Sequence, residues 1–534
     1  MKGKKSKFLV VLFMCAAALS AYAGPKTKLV FSQEAEITAL DPQKANDMPS
    51  FVVGNHLFEN LIRIVDGKAT PGIAEKWSYS ADGKILTFKL RDAVWSDGKP
   101  VTAGDFEYSI KRLLDPKTAA EYAFAAYYIV GAQDYNLGKT TDASTVGVKA
   151  LDAKTLEIKL ANPAPYFLTY LGSYCFAPVR KDIVEKYGDT YATAADKAVY
   201  DGPFVLKEWK NEQSKLLVKN PTYWNKAAIK LDSVEILQIS DPTTALSMYE
   251  NGDLDFVSVP SNLYKEYEGK GAKTYYNGAN DWMKVNVAPN PAKPWLSNAD
   301  FRRAVAWAID RESYVNISTK GLYAPNLRYI LPLVRGVDKT YGEEYPLSFY
   351  TAKGDPAKAK AYLKKAMDAL KIDDPSKISV EYLIQDLDEP RLMAETLQQQ
   401  IQSVLGIKVT IKLVTRKQRA EMEQKHQYDF VYAGWMPDYD DPMTYLEIWA
   451  GGSSQNDSGY SSPEYDKMIA AAKVEKDASK RMALMAKAEK LLLEDAPMIP
   501  LQLRRTVYLA SPNLLGLSRP LVGAEYDFTY ASFK

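Results

Sequence analysis

Two histidines and two cysteines in 534 residues leave little material for acid–base catalysis by imidazole, for thiol chemistry or for a cysteine-rich metal site. His56 and His426 stand in ordinary helical contexts (GNHLFENL and EQKHQYDF), and no HExxH, GxSxG or GxxxxGK[ST] motif occurs. Charge of one sign is lacking too. Without the four lysines of the first seven residues, 64 basic residues face 66 acidic ones, which leaves no basic excess of the kind nucleic-acid binding needs. Apolar runs of membrane-spanning length are absent after the first residues, and that first run is short of the roughly 20 residues an anchor requires. MKGKKSK, then FLVVLFMCAAALS, then AYA before Gly24 describe a secretory signal peptide over residues 1–23, cleaved after Ala23. Lipid attachment at Cys15 is the alternative, and the bulky Phe13 and Met14 before it argue for cleavage. Cleavage leaves Cys175 alone, so no intramolecular disulfide forms, and an exported chain without disulfides points to a bacterial periplasm or cell surface.

Tyrosine is what the sequence has in plenty: 36, with 9 tryptophans, against 17 phenylalanines. Such rings serve surfaces that are half apolar and half wet, so they either line a large binding cleft or cap the core where it meets water. At about 150 residues per domain, the length suggests roughly three domains of chain.

The first third reads as strands and turns. LTFKL (86–90) is an apolar strand; Thr102 with Asp105 predicts a capped helix running to about Leu114; VGVKALDAKTLEIKL (146–160) predicts a hairpin. The second half alternates differently: strand 378–384, helix from Glu389-Pro390 to Leu405-Gly406, strand 408–414, helix 416–426, strand 429–435. This β-α-β-α-β order predicts a mostly parallel sheet, whose ligands bind beyond the carboxyl ends of its strands. One such end carries an unusual turn. In YDFVYAGWMPDYDDPMTYLEIWAGG (428–452) an apolar strand breaks at Pro437 into Asp438, Asp440 and Asp441.

A catalytic acid pair, a cation site and a captured amino group all fit such a turn. Asp441 before Pro442, with Gly451-Gly452 further on, is a helix signature, so Asp441 is expected to cap and Asn to replace it there at little cost. Asp440 caps the same helix or faces solvent. Asp438, three residues past Trp435, has no local duty and is costly beside apolar rings unless paired. A calcium loop needs spacing and a glycine that DYDDPM lacks, whereas a glycosidase carboxylate pair, being spatial, stays open. With so few catalytic partners, an ammonium group from a ligand is the simplest counter-charge, and the face of Trp435 would add to its hold.

Motifs along the whole chain carry a resemblance. LDPQKA (40–45), LFENLI (57–62), AEKWSYSADGKILTFKLR (74–91), AVWSDGKPVTAGDFEYSIKRLLDP (93–116), NPAPYF (162–167), DGPFVLKEWK (201–210), NPTYWN (220–225), NGDLDF (251–256), FRRAVAWAIDRE (301–312), AGWMPDYDDP and GYSSPEYDKMI (459–469) resemble the substrate-binding proteins of bacterial oligopeptide and dipeptide ABC importers. WSDGKPVTAGDF is the most specific of these. The resemblance implies an α/β, two-lobed periplasmic-binding-protein fold of the class II type with an additional inserted domain and a hinge between lobes. Its divisions would be 24–62 with 195–282 and 502–534 as one lobe, 63–194 as the smaller insertion, and 283–501 as the second lobe.

Residue by residue, Asp438 matches the family carboxylate that pairs with a peptide α-amino group. Gly434, Trp435 and Met436 match a backbone edge on one side of the ligand, and Asn46 to Ser50, with Met48 between them, match the edge on the other. Tyr128 matches a lining aromatic, and Trp282 opens the WMKVN stretch, where the family often has ligand-facing rings. Departures are Asn46 for an acidic residue, Tyr432 for a basic one, Met436 where some members have a disulfide, and Pro390, with Arg391 beside it, for a carboxylate-binding histidine. Lys425 is left to serve a ligand's carboxylate. The implied function is capture of peptides and their delivery to a membrane ABC permease by a periplasmic monomer. Catalysis, cofactor, metal and nucleic-acid partner play no part in it. The alternatives are another ligand on the same fold (a murein peptide, a nickel chelate or a sugar) and a periplasmic hydrolase.

Overall fold

Two strands of 13 residues each, Lys273–Val285 and Met498–Ala510, run antiparallel through the middle of an 11-stranded sheet. The computed structural model describes residues 26–534 apart from Asp66, Gly67 and Ser454, so the expected signal peptide and Cys15 lie outside the described residues. Pairing of the long strands falls into two parts. Lys273–Tyr276 face Arg505–Tyr508, and Asn280–Lys284 face Met498–Leu503, with register shifts between Tyr276 and Asn280 and between Asp281 and Trp282. Gly278 lies inside the first shift at φ +85°, where a side chain would press on the Leu521 carbonyl at 2.8 Å and on Pro437 at 3.0 Å.

Each part of the pair carries a different set of neighbours. The Arg505–Tyr508 end continues into Phe256–Val259, Lys28–Gln33, Ser233–Gln238, Ser214–Lys219 and Phe204–Lys210. The Asn280–Lys284 end continues into Phe430–Trp435, Ser379–Gln385 and Lys408–Val414, the last three mutually parallel. Helices Asp388–Leu405 and Arg416–Gln424 connect these three strands, as the alternating pattern of the sequence requires. Gly406 closes the first of them in the left-handed conformation, and Thr415 with Gln418 forms a capping box that opens the second.

A separate four-stranded antiparallel sheet, Ala74–Tyr79, Ile85–Leu90, Thr155–Lys159 and Val148–Asp152, comes from the chain between the first strand and the rest of the large sheet. The helix Ala103–Leu114 packs on it and starts at the Thr102–Asp105 capping box. Phe106, Ile110, Leu113 and Leu114 are fully buried, so the helix is held by its apolar stripe. Cys175 is buried and unpaired, and burial pushes its thiol up to about 12.

Candidate functional site

The strand Phe430–Trp435 has two unequal sides. One is paired throughout with the long strand, Asn280 opposite Trp435 and Asp281 opposite Gly434. The other is paired with Ser379–Gln385 only at Phe430 and Val431, so from Tyr432 onward no strand occupies it among the described residues. Gly434 is exposed on this stretch, and a Cβ there would meet the Asp281 carboxylate at 2.3 Å. Trp435 is half-buried, its indole Nε1 donating to Thr444 Oγ1 at 3.3 Å; the same hydroxyl accepts the Asp438 amide at 3.1 Å.

The three carboxylates of the turn have three different environments. Asp441 accepts the Met443 amide and is bonded through both oxygens to Arg481, at 2.6 and 2.9 Å, with both side chains buried. It is therefore half of a buried ion pair as well as a turn-former, and the four-residue helix after it, Met443–Leu446, is shorter than its sequence suggests. Asp440 is also buried; it accepts the Arg335 amide at 2.9 Å, and desolvation pushes its carboxyl up to about 6. Asp438 is half-buried, and its carboxylate has neither a hydrogen bond nor a cation among the described residues. Burial first, then the charge of Glu447, pushes it up to about 6.

Asp438 lines a cavity of about 220 Å³ together with Met436 from its own turn. Facing them are Met48 and Phe51 of the helix Met48–Leu57, and Tyr122, Tyr170 and Tyr174. Burial raises Tyr122 and Tyr170, and the Asp438 charge adds to it, which puts both rings within electrostatic reach of the carboxylate. Tyr439, between Asp438 and Asp440, is stacked on Tyr166 at 4.9 Å and tilted against Tyr170 at 5.4 Å.

Of the residues expected at the site, the structure brings Asp438, Met436 and Met48 to one cavity and leaves the others elsewhere. Asn46 is exposed and donates to Glu121 at 2.8 Å. Of the backbone edge expected at Asn46–Ser50, the residues from Met48 onward form the first turn of a helix capped by Asp47. Ser50 is fully buried, its hydroxyl donating to Asp47 and accepting from the Thr38 amide, so that side chain is not open to a ligand. Trp282, expected near a ligand, belongs to the core instead: it is 3% exposed and packs edge-on against Tyr329 and tilted against Trp449. Tyr128 stands one layer back, against Tyr166, Phe167 and Tyr170. Lys425 is exposed, and neither it nor Arg391 lines the cavity. Of the walls that sequence reasoning did not single out, Tyr122, Tyr170 and Tyr174 had only the tyrosine excess as their signal and Phe51 had none.

The sequence profile of bacterial extracellular solute-binding proteins, family 5 (middle), matches residues 68–457. This chain belongs to that family. The family 5 protein is 34% identical over 503 residues to the dipeptide-binding protein DppE of Bacillus subtilis, covering 93% of this chain and 90% of that one. It is similar to Listeria monocytogenes OppA bound to peptide, at 30% identity and a TM-score of 0.71, covering 96% of this chain and all of the other. It is also similar to two structures of murein tripeptide-binding proteins named MppA, one of them from Escherichia coli, each at 28% identity and 96% of this chain, and 98% or 99% of the other. The TM-score is 0.83 for the one described as an unliganded open form and 0.71 for the other. The family 5 fold is two-lobed α/β, and its members are solute-binding proteins rather than enzymes. Among the described residues no helix is long and apolar enough to cross a membrane.

Proposed function

We propose that this family 5 protein captures peptides outside the cytoplasm and delivers them to a membrane ABC permease. The reading rests on one juxtaposition: an unpaired carboxylate, Asp438, just past a strand whose outer edge is free from Tyr432 to Trp435. A peptide can add to that edge as a strand, its backbone supplying affinity independent of sequence, while its ammonium group neutralises Asp438. DppE is a dipeptide-binding protein, the Listeria relative holds a peptide and MppA binds a murein tripeptide, which supports a ligand with peptide character. A nickel chelate or a sugar has no ammonium group to offer Asp438.

In this reading the protein acts as a periplasmic monomer, exported by the 1–23 signal peptide and needing no cofactor. One lobe consists of 24–62, 195–282 and 502–534 with 63–194 inserted, and 283–501 forms the other. The hinge runs through the long strands near Gly278 and Leu503, where their pairing breaks into two parts. Gly434, Trp435 and Met436 offer backbone to the ligand from one lobe, and Met48 contacts it from the other.

Titration calorimetry on four combinations tests the ammonium contact: wild type and Asp438→Asn, each with a free or N-acetylated tripeptide. Leaving one charge of a desolvated pair alone costs about 2–5 kcal/mol, so either change is expected to weaken binding roughly 30- to several-thousand-fold. Together they should cost little more than either alone, since both remove the same pair. Losses that add in full would mean that the amine is held elsewhere.

A further inference from the structure

We infer that the cavity beside Asp438 receives the side chain of the ligand's first residue and selects a large apolar one. This rests on Asp438 taking the α-amino group. The ammonium nitrogen and the Cβ of a first residue share one Cα and lie about 2.5 Å apart. The chamber that Asp438 lines is therefore the one that this side chain enters.

The walls of that chamber are apolar. Met48, Phe51 and Met436 surround its mouth with Tyr122 and Tyr170, and Pro520, Val522 and Ala524 close it from the C-terminal segment. Several of its polar groups are already engaged. Tyr174 turns its hydroxyl away to the Leu40 carbonyl at 2.8 Å. Arg63 is held by Glu59 at 2.7 Å and by Asp527 at 3.1 Å. Asp440 is occupied by the Arg335 amide and is only 8% exposed. With Asp438 taken by the ammonium group, an acidic first side chain finds no free cation among the lining residues. A basic one finds only the buried Asp440, already accepting an amide, and Asp527, already paired with Arg63, so burying either side chain is costly.

A second chamber of about 410 Å³ shares Met48 with the first and sets polar groups among apolar walls that include Val257, Leu322 and Val507. Gln33, Arg505, Thr506 and Glu525 line it. Gln33 is 5% exposed with its Oε1 unbonded, and the buried Thr506 hydroxyl is also without a partner. Polar backbone from later residues suits this chamber. The apolar one takes the first side chain.

The experiment is calorimetry of the mature chain with the series X-Ala-Ala, where X is Ala, Leu, Phe, Glu or Lys, and with Ala-Ala-X as a control. Each further buried methylene is worth roughly fourfold in affinity. Leu or Phe at X is expected to bind about 10- to 50-fold more tightly than Ala, with Glu and Lys weaker than Leu and Phe, and the control series flatter. Val522→Trp fills the cavity from a partly exposed position and should bring the Leu and Phe peptides down towards Ala; a melting curve checks that the variant folds. Equal affinity across X, or a preference for Glu or Lys, would overturn the pocket while leaving peptide binding intact. Failure of every tripeptide to bind would remove the peptide reading and this inference together.

Discussion

At neutral pH the Asp438 carboxylate is charged in surroundings that oppose its charge, because burial and the nearby Glu447 have pushed it up to about 6. A carboxyl whose folded pKa lies above its unfolded value near 3.9 lowers stability as pH rises between those values, and the full penalty persists above them. Asp438→Asn is therefore expected to stabilise the unliganded protein at pH 7, by about 1–3 kcal/mol. The gain should shrink at pH 4.5, and melting at both pH values checks it. Asp440 is also pushed up to about 6, so Asp440→Asn must be melted in parallel to separate the two groups. Ligand binding has the opposite dependence. Below about pH 6 Asp438 takes up a proton that the ammonium group must displace, so affinity for a free-amine peptide should fall up to tenfold per unit, while an N-acetylated peptide shows little change. A flat profile from pH 5 to 7.5 would argue that no ammonium meets this carboxylate.

The strand–turn unit shows what could be read from the sequence and what could not. Local patterns sufficed for the three parallel strands, their two helices and the Thr102–Asp105 cap, because each depends on residues a few positions apart. The position of the acidic turn beyond a strand's carboxyl end followed from the same alternation. The partner of Asp441 did not: Arg481 lies 40 residues on, and no spacing rule joins them. Nor could sequence tell that Ser50 points into the protein, or that Trp282 packs in the core, since an aromatic in a strand reads the same on either face. The distant partner changes what is expected of a substitution. Asn at 441 could still accept the Met443 amide, as a cap would require. It would, however, leave Arg481, with 3% of its side chain exposed, charged and without its carboxylate. Removing one partner of a buried pair costs about 3–5 kcal/mol, and somewhat less where Asn keeps a hydrogen bond, so Asp441→Asn should lose about 2–4 kcal/mol in urea unfolding. Double substitution with Arg481→Met should recover much of it; a loss of under 0.5 kcal/mol in the single variant would reduce Asp441 to a cap.

For the molecule as a whole, the arrangement of the long strands limits what motion is possible. Pairing within Lys273–Tyr276 and within Asn280–Lys284 can persist while the stretch around Gly278, with its shifted register, absorbs a rotation. Contacts between the 63–194 segment and the 283–501 segment already exist at Tyr166 against Tyr439, Arg481 over Tyr166 at 4.9 Å, and Lys476 on the Ala81 carbonyl at 2.8 Å. Capture by closure requires a resting state with the lobes apart. A ligand can shift that state only through interactions it makes better in the closed one. A peptide held by Asp438 and the Tyr432–Trp435 edge on one side, and by Met48 and Phe51 on the other, gains its second set of contacts on closing. Small-angle scattering should thus show a smaller radius of gyration when Leu-Ala-Ala saturates the protein. N-acetyl-Leu-Ala-Ala at the same concentration should leave most molecules open, because its loss of affinity keeps the site empty. Raising the acetylated peptide to saturation should restore compaction, since both walls are then bridged and only the ammonium contact is missing. If calorimetry shows saturation by Leu-Ala-Ala and the radius does not change, the two walls do not close on the ligand, and the cleft binds peptide as a rigid surface.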